Sequence, residues 1–183
     1  SNDAQGYTSV YAADVDGDGD LDVLSSSLDD HEITWYENDG AQNFTAHIIT
    51  SNAIVAYRVY AADVDGDGDM DVLSASLLDK KIAWYENDGA ESFTTHIINN
   101  DTSHAICVYA IDVGNDGDMD VLSASVGDDK IAWYENDGSQ NFTAHIITID
   151  ADGTESVYAI DVDNDGDMDV LSASDNDHKI AWY

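Results

Sequence analysis

Short apolar runs separated by polar turns recur along this chain, and each run has the length of a β-strand. In the first repeat they lie at residues 10–15 (VYAADV), 22–27 (DVLSSS), 33–37 (ITWYE) and 44–50 (FTAHIIT). β-Branched and aromatic residues are enriched in all four runs, as a pleated, packed surface requires. Between the last two runs, Asn38-Asp39-Gly40 is a turn signal that joins antiparallel strands. The pattern therefore predicts a unit of four antiparallel strands.

This unit returns every 49 residues without insertion or deletion. The spacing is kept by the aspartates Asp14, Asp63, Asp112 and Asp161 and by the tryptophans Trp35, Trp84, Trp133 and Trp182. A constant period indicates that each repeat is one structural unit with equivalent neighbours. We predict a single repeat array over residues 1–183, with repeats at approximately 1–49, 50–98, 99–147 and 148–183.

Several of the predicted strands are apolar on both faces. In the third strand, Ile33 and Trp35 point to one side and Tyr36 to the other. A stack of sheets explains this pattern, whereas a two-layer sandwich gives a cleaner alternation. Four-stranded units with a period of about 40–50 residues are typical of β-propellers. The predicted fold is all-β, a propeller-type array of four-stranded antiparallel blades.

The composition is strongly acidic. Asp and Glu number 39 against five Lys and Arg, which gives a formal net charge of −34, while apolar residues make up 43% of the chain. The apolar fraction supports a packed core, but so large a charge opposes compaction unless cations neutralise it. Nucleic acids and anionic membranes require basic surfaces, so neither is an expected partner. No apolar stretch is long enough to span a bilayer, and we expect no membrane insertion.

An aspartate-glycine loop follows the first strand of each repeat and concentrates this charge. Calcium takes about six to eight oxygen ligands, and carboxylates at alternate positions of a tight loop can converge on one ion. The predicted ligands of the first loop are Asp14, Asp16, Asp18, the carbonyl of Asp20, and Asp22. Those of the other loops are Asp63, Asp65, Asp67, Asp69 and Asp71; Asp112, Asp116, Asp118 and Asp120; and Asp161, Asp163, Asp165, Asp167 and Asp169. Without a counter-ion these carboxylates would repel one another.

The third loop departs from this pattern because Gly114 replaces the second aspartate. We expect about one Ca²⁺ per repeat, with the weakest binding in the third. The loop is not an EF-hand, since position twelve is a strand serine such as Ser25 instead of a bidentate glutamate. Magnesium fits less well because it demands strict octahedral geometry. A single Asp-Gly run could simply make a turn, but four copies in register favour metal binding.

The pattern D-x-D-x-D-G-x-x-D between two strands resembles the FG-GAP/VCBS repeats of integrin α-subunit propellers and of many secreted bacterial proteins. The longer pattern DVDGDGDLDVL…WYENDG…F-x-x-H-I-I is similar to the bacterial branch and extends over the whole chain. The resemblance implies seven or eight propeller blades, calcium held between the first and second strands of a blade, and an extracellular or cell-surface location.

This sequence differs from that family in its number of repeats. Four is fewer than usual, and the fourth repeat is shorter, so we expect the last blade to lack its outer strand. An open strand edge invites pairing. Three explanations remain open: a window of a longer array, two chains forming an eight-bladed ring, or chains joined head-to-tail into a fibre.

Other candidate residues have simpler interpretations. We expect His47, His96 and His145 to lie on the outer strand of a blade, and the repeated Trp and Tyr residues to pack between blades. Cys107 is the single cysteine, which excludes an intrachain disulfide and predicts a buried or idle thiol. Sequons at Asn43, Asn100 and Asn141 permit glycosylation in a host that glycosylates.

The function predicted from these features is structural and adhesive, with calcium rigidifying each blade. Four nearly equal units contain no unique set of acid, base and nucleophile, so we expect no enzyme. Two alternatives remain: a carbohydrate- or protein-binding propeller of a larger secreted protein, and, more weakly, a polysaccharide-degrading enzyme.

Overall fold

The computed structural model describes residues 6–183, and within them all regular structure is β-strand. The strands of this part of the chain are β1 (Tyr7–Ala13), β2 (Asp22–Ser27), β3 (Ile33–Asn38), β4 (Phe44–Thr50), β5 (Ala56–Ala62), β6 (Asp71–Ser76), β7 (Lys81–Asn87), β8 (Phe93–Asn99), β9 (Ala105–Ile111), β10 (Asp120–Ser125), β11 (Lys130–Asn136), β12 (Phe142–Thr148), β13 (Thr154–Ile160), β14 (Asp169–Ser174) and β15 (Lys179–Trp182). No helix capable of crossing a membrane occurs among the described residues.

The strands form four antiparallel sheets in chain order. Sheet 1 contains β1–β4, sheet 2 contains β5–β8, sheet 3 contains β9–β12, and sheet 4 contains β13–β15. Every strand pairs with its neighbour in sequence, so each sheet is a simple meander. The prediction of an all-β chain built from four-stranded antiparallel units is confirmed, and over residues 6–183 the fourth sheet has three strands.

The predicted strand bounds are accurate except at the first strand. β2 and β4 coincide with the prediction, and β3 extends one residue further to Asn38. The predicted strand at 10–15 is wrong at both ends, because β1 begins at Tyr7, which pairs with Ser27. It ends at Ala13 because the next turn leaves the ladder: the Val15 N–H donates to the carboxylate of Asp22 at 3.0 Å.

Consecutive sheets pack face to face, with their first strands adjacent: β1 on β5, β5 on β9 and β9 on β13. Between sheets 1 and 2, the buried Ile33 and Trp35 of β3 meet Val59 and Tyr85 of sheet 2. Trp84, Tyr85 and Glu86 follow one another on β7, but Trp84 packs against sheet 3. Trp and Tyr of one strand therefore pack on opposite neighbours, as predicted.

Tyrosines of the first strands form a ladder across the sheets. Tyr11, Tyr60, Tyr109 and Tyr158 follow one another with ring centroids 4.7, 5.1 and 4.9 Å apart. Burial raises the pKa of Tyr109 to about 12. The ladder aligns the first strands and thereby places the loops that follow them side by side.

In each of the first three sheets, a histidine attaches the outer strand to the third strand. His47 of β4 stacks on Trp35 of β3 at 4.7 Å between ring centroids, and its Nε2 lies 2.8 Å from Glu37 Oε2. His96 and His145 repeat this arrangement with Glu86 at 2.6 Å and Glu135 at 2.7 Å. The histidines therefore lie on the outer strand, as expected.

Candidate metal centres

The aspartate loops connect the first and second strands of each sheet. They lie at the same end of the sheet as the turn between the third and fourth strands. The loop bends through left-handed residues, and in the first copy Gly17 and Gly19 have φ of 74° and 95°. At the position of Gly17 the third and fourth loops have Asn115 and Asn164, with φ of 54° and 62°. Asparagine is one of the few residues with a side chain that adopts this region readily, so the bend is preserved.

The first loop is held by its own carboxylates. Asp14 Oδ2 accepts the Gly19 N–H at 3.0 Å, and Asp18 Oδ1 accepts the Asp20 N–H at 2.8 Å. Asp14 Oδ1 is buried and has no hydrogen-bond partner among the described residues. A buried, unpaired carboxylate oxygen is costly unless a cation or another donor compensates it. This oxygen fits a metal ligand.

Three of the four loops bring carboxylate oxygens together. Within residues 6–183, the groups whose oxygens lie within 4.8 Å of one another are Asp14, Asp16 and Asp18; Asp63, Asp65 and Asp71; and Asp161, Asp163 and Asp169. Each group is all-oxygen, without histidine or cysteine. Hard oxygen ligands of this kind suit calcium or magnesium better than zinc or copper.

The local electrostatics favour a cation in these loops. Burial, followed by the negative charge of neighbouring aspartates, raises the pKa of Asp16. Burial is again the main cause of the raised pKa of Asp65, and the charges of Asp67, Glu86 and Asp63 add to it. A raised carboxyl pKa means that the anion is disfavoured in this surrounding, and a bound cation would reverse that preference.

The third loop is the exception in its geometry as well as in its sequence. It forms no comparable group of three carboxylates in the described part of the chain. Both oxygens of Asp112 accept loop N–H groups, from Asp116 at 3.1 Å and Gly117 at 2.9 Å, as those of Asp63 and Asp161 also do in their loops. Gly114 supplies no carboxylate and instead donates its N–H to Asp120 at 3.2 Å. Weaker calcium binding at this loop stays a prediction.

The aspartate at position nine of the first three loops has a second role, which the sequence analysis missed. Asp22 Oδ2 accepts the Val15 N–H, and Asp22 Oδ1 accepts the Asn38 N–H at 2.8 Å, so one carboxylate joins the loop to the β3–β4 turn. Asp71 makes the equivalent bonds, at 2.9 Å to Val64 and 2.8 Å to Asn87. The signal in the sequence was the ENDG turn that recurs in register with this aspartate.

The aspartate at position seven, expected to contribute its carbonyl, turns its side chain toward the same turn. The carboxylate of Asp20 lies so close to Gly40 that a Cβ there would overlap it, and the same holds for Asp69 with Gly89. Gly40 and Gly89 have φ of 70° and 69°, which also favours glycine. The side chain is therefore directed toward the turn between the third and fourth strands, and the backbone carbonyl as a ligand stays a prediction.

The first two loops are also tied to the next sheet. Asn87 is 3% exposed, and its side-chain N–H₂ donates to the carbonyl of Val15 in the first loop at 2.9 Å and to Met70 at 3.2 Å. Asn136 donates to Val64 of the second loop at 3.3 Å. The position of a loop therefore depends on the packing of the following sheet.

Comparisons with known proteins agree with this architecture. A sequence comparison with curated proteins found no significant match. Among solved structures, a lectin from Agrocybe aegerita that recognises non-reducing terminal N-acetylglucosamine matches 92% of this chain with a TM-score of 0.65 and 18% identity. The biofilm matrix protein Bap1 of V. cholerae matches 97% of this chain with a TM-score of 0.51 and 19% identity. The chain spans 47% of the lectin and 30% of Bap1.

The family comparison covers the loops themselves. A model of the FG-GAP-like repeat matches residues 14–74 and 112–172, which together make up about two thirds of the chain. Each matched segment begins at the first aspartate of one loop and ends in the second strand of the next sheet. The chain belongs to the FG-GAP-like repeat family.

Proposed function

We propose that this chain is an extracellular calcium-binding repeat protein with a structural and adhesive role, its sheets arranged as the blades of a propeller. The observation that carries the proposal is the convergence of three carboxylates in each of three equivalent loops, with Asp14 Oδ1 buried and unpaired in the described residues. Ca²⁺ is the cation proposed, because flexible all-oxygen loops with several carboxylates suit its coordination.

The physical effect of calcium would be on folding as well as on the loops. The net charge of −34 opposes compaction, and each loop is bonded to the turn of its own sheet. A cation that binds the folded loop and not the unfolded chain stabilises the fold by mass action. Calcium would therefore set the rigidity of each sheet and its contact with the next.

The extracellular and adhesive part of the proposal is supported by family membership and by the structural likeness to a biofilm matrix protein. A protein that is stiff only where calcium is abundant fits an environment outside the cell. We further propose self-association in this role, into a ring or a fibre.

A second candidate is a glycan- or protein-binding module of a larger protein. The observation that favours it is the likeness to a lectin that recognises terminal N-acetylglucosamine, of which this chain spans 47%. Binding to a panel of immobilised glycans with calcium, abolished by the free sugar, would support this candidate over a purely structural role.

We propose no catalytic activity, since four near-equal repeats offer no unique acid, base and nucleophile. A polysaccharide-degrading activity is the weakest alternative. Turnover of a polysaccharide that is lost on changing one acidic residue outside the calcium loops would establish it.

The direct test is thermal unfolding with calcium and with excess EGTA. At a free calcium concentration of 100 times Kd, each occupied site adds about 2.7 kcal/mol to stability. Three sites would raise the melting temperature by about 15–30 °C in a chain of this size. Magnesium at equal concentration is the control and should have a much smaller effect. An identical melt in calcium and in EGTA would refute the calcium proposal.

A further inference from the structure

A cleft of about 230 Å³ lies between sheets 1 and 2, at the end of the sheets opposite the aspartate loops. Thr50 and Asn52 line it from the end of β4 and the link that follows, Asp79 from the turn between β6 and β7, and Thr95 from β8. A space of this size holds several water molecules or one small organic molecule. None of its lining residues belongs to the aspartate loops.

The carboxylate of Asp79 lies at this cleft, and only one of its oxygens is paired. The side chain is 8% exposed, and its Oδ2 accepts from Lys81 Nζ at 3.1 Å and from the Ile54 N–H at 3.4 Å. Its Oδ1 is buried and has no hydrogen-bond partner among the described residues. An unpaired, buried carboxylate oxygen is costly, so a donor from outside the chain should approach this side chain.

Two side chains distinguish this cleft from the equivalent places in the other repeats. Thr95 occupies a position that is alanine in the other outer strands, β4 and β12. Asn52 occupies a position that is aspartate in the two later links between sheets. The cleft between sheets 1 and 2 therefore carries an additional hydroxyl and a neutral amide, and it lacks a second carboxylate.

The charges of the cleft favour a neutral ligand with several hydroxyl groups. Asp79 repels an anion, and Lys81 already supplies the positive charge that a cation would bring. A hydroxyl can donate to the carboxylate and can also accept from the ammonium, which keeps two N–H groups after its bond to Asp79. Ala83 and the 46% exposed Ile97 add apolar surface, and a few placed polar groups beside apolar ones are typical of small-molecule sites.

We propose that this cleft binds one neutral sugar unit, with a sugar hydroxyl donating to the carboxylate of Asp79 and Lys81 donating to a sugar oxygen. Thr95 and Asn52 supply further hydrogen bonds from the two walls of the cleft. The inference rests on the glycan-binding candidate described above and assigns it a site. Because the cleft lies at the opposite end of the sheets, calcium in the aspartate loops is not a ligand of the sugar.

The test is saturation-transfer difference NMR of the whole chain in saturating calcium. The probes are glucose, galactose, mannose and their N-acetylated amino forms, and at least one should bind with a Kd of about 0.1–10 mM. Glucuronic acid and glucosamine, which are charged at neutral pH, are the matched probes and should bind at least about 3-fold more weakly than the neutral sugar.

Variants of the cleft residues locate the binding. Asn52→Asp and Thr95→Ala introduce residues that other repeats carry at the same positions, so both chains should fold, and each should bind about 5–10-fold more weakly. Asp79→Asn should weaken binding at least about 10-fold, because it replaces the charged acceptor. The matched control is Asp128→Asn, at the same position of sheet 3 with its own ion pair to Lys130 at 2.7 Å, and it should bind like the unaltered chain.

The outcomes separate the cleft from the glycan-binding candidate. If a sugar binds equally well to the unaltered chain and to every cleft variant, the cleft is the wrong site while glycan binding stands. If no free sugar binds, the cleft holds water only and the proposal fails. Binding to immobilised glycans then decides whether the glycan-binding candidate fails with it, and the melts in calcium and EGTA test the calcium proposal independently.

Discussion

The side-chain amide of Asn87 joins the first aspartate loop to the next sheet, and its removal should be costly. Asn87→Ala deletes two donated bonds, to Val15 at 2.9 Å and Met70 at 3.2 Å, and one accepted from Gly89 at 3.2 Å. The side chain is almost fully buried, so the backbone groups it leaves behind lose their partners without gaining water. Each lost hydrogen bond costs about 1 kcal/mol, and more where a polar group stays buried without a partner. The free energy of unfolding should therefore fall by about 2–4 kcal/mol.

The repeat supplies a matched control in Asn38→Ala. Asn38 makes one donated side-chain bond in the described structure, to Leu21, and is only half-buried. Its replacement should cost about 0.5–1 kcal/mol, the net value of one hydrogen bond.

The assay is thermal unfolding in saturating calcium, followed by circular dichroism. For a chain of this length about 1 kcal/mol corresponds to a shift of about 2–4 °C in melting temperature. Asn87→Ala should therefore melt about 4–16 °C lower than the parent, and Asn38→Ala about 1–4 °C lower. Equal losses for the two variants would refute the reasoning, because they would show that the bond between sheets contributes nothing. A loss at Asn87 that vanishes in EGTA would instead locate the effect in the calcium-loaded loop.

Three further outcomes are expected. Gly114→Asp should strengthen calcium binding at the third loop about 10-fold by titration calorimetry, with Gly114→Asn as the neutral control, since a Cβ there meets only ordinary contacts. Gly89→Ala should lower the free energy of unfolding by about 1–3 kcal/mol in thermal melts, because the new Cβ would overlap Asp69 and the φ of 69° disfavours a side chain. The control is Gly66→Ala, which has a φ of 76° but open space around it and should cost about 1 kcal/mol. Equal losses of stability in the two variants would contradict a role for the overlap. Burial raises the pKa of Asp71 to about 6, so this carboxylate holds its proton more tightly in the folded chain than in the unfolded one. Protons then compete with calcium, and the rise in melting temperature that calcium causes should become smaller between about pH 7.5 and about pH 5. A calcium-induced rise that becomes larger as the pH falls would refute this reasoning.

The local parts of the fold follow from the sequence because their signals are local. β2 and β4 are short apolar runs bounded by an aspartate loop and an Asn-Asp-Gly turn, and both bounds were predicted. β1 was misplaced because its end is decided by a side chain seven residues away, when Asp22 takes the N–H of Val15 out of the ladder. The pattern of apolar residues alone does not show that competition for the N–H group.

The candidate metal sites were likewise predictable in their local part only. The first two aspartates of loops 1, 2 and 4 come together as the spacing predicts, because alternate residues of a tight loop converge. The bonds from Asn87 to Val15 and from Asn136 to Val64 join residues 72 positions apart in neighbouring repeats. Only the stacking of sheets creates them, so a single repeat gives no hint of this link.

Calcium stoichiometry tests the proposed function most directly. The chain, freed of metal by EGTA and dialysed, should be titrated with calcium and weighed by native mass spectrometry, with magnesium as the control. At least three tightly held Ca²⁺ ions per chain are expected, one for each group of converging carboxylates, and Asp63→Asn should remove one of them. A chain that holds no calcium, or holds it no better than magnesium, would contradict the proposal.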